Sequence, residues 1–173
     1  MLKCIFGVRV MSKKEQERLR LLFALIKGAR RSDRELAKTL RISQPTITRK
    51  RTQLEKEGYI REYTIIPDLG KAGYEILAFT FLAFTKSGEE LFEKARDWTG
   101  KRSNIIFAAD GEGLGMGALM VSTHKNYSSL SRLITELRHD WQPNIKDLQS
   151  FIISVDRPDL IVKEFSLKYL EKA

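Results

Sequence analysis

In the first 70 residues, apolar side chains recur at helical spacing. Leu19, Leu22, Phe23 and Ile26 fall at i, i+3, i+4 and i+7, which predicts a helix over residues 15–27 that stops at Gly28. Ser32 followed three residues later by Glu35 is a capping-box pattern, so a short second helix opens there and turns Leu36, Ala37 and Leu40 inward. After a turn at Arg41-Ile42, Ser43 is placed to cap a third helix. Pro45 is tolerated in its first turn, and Gly58 ends it after Glu57. Only Ile47 and Leu54, seven apart, give this third helix a core face. Residues 59–66 are β-prone and predict a strand or wing, and the turn-rich residues that follow predict a linker over 67–75.

Beyond the linker the pattern changes. Residues 76–85 place Leu77, Phe79 and Phe81 on one side of a strand and Ile76, Ala78, Leu82 and Phe84 on the other, so both sides are apolar. A helix over 89–98, strands over 104–109 and 117–123, a helix over 127–141 and a strand over 146–155 complete a β-α-β-β-α-β order. That order predicts two helices on one face of a four-stranded antiparallel sheet. With no helix left for the opposite face, a second copy of the chain is the expected cover, so a homodimer is inferred. Pro158 is expected to open a final amphipathic helix over 158–173 carrying Leu160, Ile161 and Phe165. The division is therefore an N-terminal segment and helical domain over 1–66, the linker, a second domain over 76–157 and the terminal helix.

Charge sharpens this division. Residues 1–70 hold 17 basic and 8 acidic side chains, whereas residues 71–173 hold 14 of each, so the net charge of +9 belongs to the helical end. Helix-short turn-helix with a polar, basic second member suits a DNA major groove, where Arg or Lys reads guanine, Gln reads adenine and Thr meets a thymine methyl or a phosphate. The candidate contacts are Arg30 and Arg31 in the preceding turn and Ser43, Gln44, Thr46, Thr48, Arg49, Lys50, Arg51 and Gln53 on the helix. Gln44, Thr46, Thr48 and Arg49 are assigned to base edges, and Arg30, Arg31, Lys50 and Arg51 to phosphates. Double-stranded DNA is thus the expected partner.

These residues also carry a family likeness. Ser32-x-x-Glu35-Leu36-Ala37, Ile42-Ser43, Ile47-x-Arg49-Lys50, Leu54-Glu55-Lys56-Glu57-Gly58-Tyr59-Ile60 and Pro67-x-Leu69-Gly70 resemble the Lrp/AsnC (feast-or-famine) transcription regulators, most strongly over 13–85 and more loosely to about 157. The resemblance implies an α+β chain with an N-terminal winged helix-turn-helix and a C-terminal ferredoxin-like βαββαβ domain. It further implies dimers that assemble further and operator binding modulated by an amino acid or another small metabolite. Two positions depart from the family: Arg41 stands where glycine is usual, and Arg51 where an apolar residue is usual. The glycine-rich stretch from Asp110 to Gly117 reads by itself as a hairpin loop. The resemblance implies an effector site there, at Asp110, Gly111 and Gly113, although the four glycines depart from the family's aromatic-Asp pattern.

The remaining chemistry is sparse. His124 and His139 are the two histidines and Cys4 the single cysteine, none in a metal-ligand spacing, so no metal, cofactor or enzymatic activity is expected. One cysteine allows no intrachain disulfide, and no apolar run reaches about 20 residues, so a cytoplasmic, nucleoid-associated protein with no membrane partner is the expectation. A non-specific architectural DNA-binding protein and an enzyme resembling the siroheme decarboxylases remain as alternatives.

Overall fold

The computed structural model describes residues 13–86 and 88–172; the segment expected ahead of the first helix, Cys4 included, lies outside them. The described chain divides into two compact units, residues 13–66 with 165–172, and residues 67–164.

The first unit holds α1 (Lys13–Lys27), α2 (Asp33–Leu40) and α3 (Gln44–Lys56). Their core is Leu21, Ala24 and Leu25 from α1, Leu36 from α2, and Ile47 and Leu54 from α3, with Leu40, Ile42 and Ile60 at its margin. The inward face of α1 therefore differs from the expected one: Leu19, Leu22, Phe23 and Ile26 are only partly buried. Residues 21–26 are apolar throughout, so two stripes satisfy helical periodicity, and α2 and α3 take Leu21, Ala24 and Leu25. Each fully buried Leu or Ile contributes about 1.5–3 kcal/mol, against about 0–1 kcal/mol for an exposed ion pair, so Ile47 and Leu54 decide how α3 is turned.

Residues 59–66 form no strand. A lone β-prone segment needs a ladder partner, and the described part of this unit has no other strand to offer. The segment instead doubles back on α3, with the Ile60 N–H donating to the Leu54 carbonyl at 3.2 Å. The terminal amphipathic helix is also corrected. Pro158–Leu160 and Leu167–Lys172 are 3-10 turns separated by irregular chain, the second packed on α1. Leu160, Val162 and Phe165 are exposed, so a regular helix would gain no buried apolar face to stabilise it.

The second unit holds β1 (Ile76–Phe84), α4 (Glu89–Gly100), β2 (Ile105–Gly113), β3 (Met116–His124), α5 (Tyr127–Trp141) and β4 (Ile145–Ser154). The antiparallel sheet has the order β2-β3-β1-β4, the ferredoxin-like arrangement. Leu82 and Met120 from the sheet pack with Trp98 of α4 and with Leu133, Leu137 and Trp141 of α5, while Ile76 and Ala78 meet Leu130. Residues 67–75, expected as a linker, are folded into this unit. The Asp68 carboxylate accepts from the Lys71 N–H at 3.0 Å, and a Cβ on Gly70 would lie 2.7 Å from the Val155 carbonyl oxygen, so only glycine fits. His124 is buried, its Nε2 2.8 Å from Ser122 Oγ, and burial lowers its pKa.

Candidate nucleic-acid interface

The helix-turn-helix is built by local chemistry. Ser32 caps α2: its N–H donates to Glu35 Oε2 at 2.7 Å, and the Glu35 N–H returns a bond to Ser32 Oγ at 3.3 Å. The Ser32 backbone N–H first, and its hydroxyl second, hold the Glu35 carboxyl below its ordinary pKa. Arg41 turns the chain between α2 and α3 in the left-handed conformation at φ 56°, the geometry that a glycine adopts more cheaply. Ser43 occupies the cap position of α3 without bonding its backbone; its Oγ meets Thr46 Oγ1 at 2.8 Å instead. Gly58, at φ 73°, ends the helix.

The faces of α3 then sort the candidate residues. Ile47, Lys50, Arg51 and Leu54 fall at i, i+3, i+4 and i+7, so both cations lie on the inward stripe rather than with Arg49. Lys50 is ion-paired with Glu17 on α1, and Arg51 Nη2 lies 2.7 Å from Asp33 on α2. Arg51 also donates weakly to the Arg31 carbonyl at 3.4 Å, and its guanidinium lies 5.9 Å from the centre of the Tyr63 ring. Burial opposes the charge on Arg51, but Tyr63 and Asp33 more than offset it, and its pKa rises. Gln53 donates to Glu57, which also receives Arg18 at 2.6 Å. These bonds draw Lys50 and Arg51 towards the other helices and the return segment, and tie Gln53 to the C-terminal cap of α3.

What the helix presents outward is Gln44, Pro45, Thr48, Arg49, Thr52, Glu55 and Lys56, all exposed. Arg30 and Arg31 are exposed in the turn before α2, where Gly28 leaves room for the Arg31 side chain: a Cβ there would approach Arg31 Nε to 2.9 Å. Of the ten candidates, seven thus remain on or beside the exposed end and face of the unit. Thr52 and Lys56 were not among them, although a helical wheel drawn from Ile47 and Leu54 places both on the opposite side. Tyr63, on the returning segment, donates its hydroxyl to Glu55 at 2.7 Å and braces the same helix.

Asp110, Gly111 and Gly113 are exposed but stand on β2, not in a loop. The hairpin closes at Leu114-Gly115 alone, with φ of 55° and 74°, the two positive values that suit the twist of the flanking strands. Asp110 also lines an apolar cavity of about 180 Å³ between α4 and the sheet, with Leu82, Phe84, Phe92 and Trp141 among its walls. Among the described residues no group of three His, Cys, Asp or Glu side chains could hold a metal ion, and no helix is long and apolar enough to cross a membrane.

A helix-turn-helix unit followed by a ferredoxin-like sheet is the architecture of the AsnC/Lrp regulators. Residues 18–61 match the family model described as winged helix-turn-helix DNA-binding. PH0061 of Pyrococcus horikoshii, an uncharacterized HTH-type transcriptional regulator, is 39% identical over 64 residues, 37% of this chain and 43% of its own. Its crystal structure superposes with a TM-score of 0.74 at 23% identity, over 91% of this chain and 99% of that one. AsnC of E. coli gives a TM-score of 0.69 at 16% identity over 92% and 99%. The regulator NMB0573 of Neisseria meningitidis, solved as a complex with L-Met, gives 0.72 at 17% over 92% and 96%. By sequence, the chain spans about half the length of the curated relatives it matches, 43% to 57%.

Proposed function

We propose that this chain is a sequence-selective, DNA-binding transcription regulator that acts as a homodimer on the nucleoid, in the cytoplasm, and is not an enzyme. The observation that carries this is the outward stripe of α3. Opposite the buried Ile47 and Leu54 it offers hydroxyls, an amide and cations, where a solvated helix needs none in particular, and it belongs to the end of the chain that holds the whole charge excess. Gln44, Thr48, Arg49 and Thr52 are assigned to base edges in the major groove, and Lys56, Arg30 and Arg31 to phosphates.

The dimer is supported by the sheet face opposite the helices. Leu77, Phe79 and Phe81 of β1 stand on it, and the register puts Phe79 between Val121 and Phe151. Phe107 and Phe151 remain 54% and 65% exposed, an apolar area of the kind that a second copy covers. By analogy with the NMB0573 complex, a small metabolite modulates binding, with Asp110, Gly111 and Gly113 as candidate contacts. Selection of fragments from random duplex DNA tests the proposal. A two-fold related pair of half-sites, roughly one helical turn or a multiple apart, supports it; recovery of unrelated sequences overturns it.

A further inference from the structure

Thr48 stands on the exposed side of α3, where its hydroxyl and its methyl would give different base preferences. Its Oγ1 lies 2.7 Å from Asp33 Oδ2 and 3.2 Å from the Gln44 carbonyl. Both partners only accept, so the single hydroxyl proton is directed into the protein, chiefly to the nearer and charged Asp33. Asp33 is kept in that role by Arg51, whose Nη2 lies 2.7 Å from its other oxygen in a pair that is about one-fifth exposed on each side. Arg51 in turn is held by the Arg31 carbonyl and flanked by Tyr63. The arginine that stands at a normally apolar position of this helix type thus fixes a neighbouring acid.

We infer that Asp33 is a positioning residue that commits the Thr48 hydroxyl inward, so that position 48 meets a thymine through its γ-methyl and does not donate to guanine, to thymine O4 or to phosphate; this rests on the major-groove role proposed for α3. With Oγ1 tied to α2 and to the α3 backbone, the γ-methyl is the side-chain group of this exposed residue that is left without a bond inside the protein. Methyl-on-methyl contact is an established way of recognising thymine.

The test begins with a preferred duplex obtained by selection. Each thymine is replaced in turn by deoxyuridine, which removes only the 5-methyl group. One thymine per half-site should cost the parent about fourfold in affinity, the worth of burying one methyl. Thr48→Val, which keeps a methyl and has no hydroxyl, should retain that penalty. Thr48→Ser, which keeps the hydroxyl and lacks the methyl, should bind the thymine and deoxyuridine duplexes alike. Asp33→Ala, if it folds, leaves the hydroxyl only its longer bond to the Gln44 carbonyl and should shrink the penalty without abolishing it. The two Thr48 variants decide the matter if Asp33→Ala does not fold. A parent with a preferred site but no deoxyuridine sensitivity, or a Thr48→Val variant that loses preference while Thr48→Ser keeps it, overturns this inference and leaves the DNA-binding role standing. A parent with no preferred duplex overturns both.

Discussion

Lys50 of α3 and Glu17 of α1 form an ion pair in which the lysine side chain is 15% exposed, so a cation of α3 is directed into the protein. Lys56, six residues nearer the C-terminal end, is exposed. Lys50→Ala should therefore lower stability by about 1 kcal/mol or less and leave the salt dependence of DNA binding unchanged. Lys56→Ala should reduce the slope of log affinity against log salt concentration by about one. Titrations at several salt concentrations separate the two; a reduced slope for Lys50→Ala would place Lys50 at a phosphate after all.

Phe151 lies on the open sheet face, on edge strand β4 beside Phe79. Because it is largely exposed within one chain, Phe151→Asp should cost the isolated fold about 0.5 kcal/mol or less while placing a charge in the proposed dimer contact. Sedimentation should show the variant as a monomer at concentrations where the parent is a dimer. A variant that stays dimeric locates the contact elsewhere.

Arg41 holds a left-handed conformation with a full side chain. Arg41→Gly relieves about 1–2 kcal/mol of backbone strain and returns part of it as unfolded-chain entropy, whereas Arg41→Ala relieves none. Chemical denaturation should find the glycine variant about 1 kcal/mol more stable than the alanine variant. Equal midpoints would mean that the turn is not strained.

The capping box gives a pH signature. Ser32 holds the Glu35 pKa down, so the folded value lies below the unfolded one. The contribution is present above the unfolded value and is lost as pH falls through the folded one. The melting-temperature gap between the parent and Glu35→Ala should be full at pH 7 and should close in strong acid. A gap independent of pH would show that the carboxylate is not what caps the helix.

Most of this architecture is visible in periodicity and punctuation. The Ser32 and Glu35 cap and the Gly58 stop each have one physical solution, and the structure adopts it. Where the chain offers several solutions, tertiary context chooses. The uninterrupted apolar run in α1 allows two inward stripes, and the partners that decide between them are remote in sequence. Lys50 and Arg51 look like phosphate contacts by composition, yet Ile47 and Leu54 already dictate that residues 50 and 51 flank the core. Their acidic partners, Glu17 and Asp33, lie 33 and 18 positions away, on other helices. The return of residues 59–66 onto α3 depends on the absence of a strand partner in its described unit, which no local pattern records. Gly111 and Gly113 suggest a loop by residue type, but β3 pairs with that stretch and extends β2 to Gly113, leaving Leu114-Gly115 as the turn.

Arg49, exposed at the middle of the outward stripe of α3, offers the most direct test. Fluorescence anisotropy at fixed salt would compare the parent and Arg49→Ala on the selected duplex and on a random duplex of equal length. Expected is a loss of about 1–3 kcal/mol on the selected duplex, with binding to the random one weakened only by the single missing charge, so that the preference narrows. An Arg49→Ala protein that distinguishes the two duplexes as well as the parent does would contradict the assignment of this helix face to the bases.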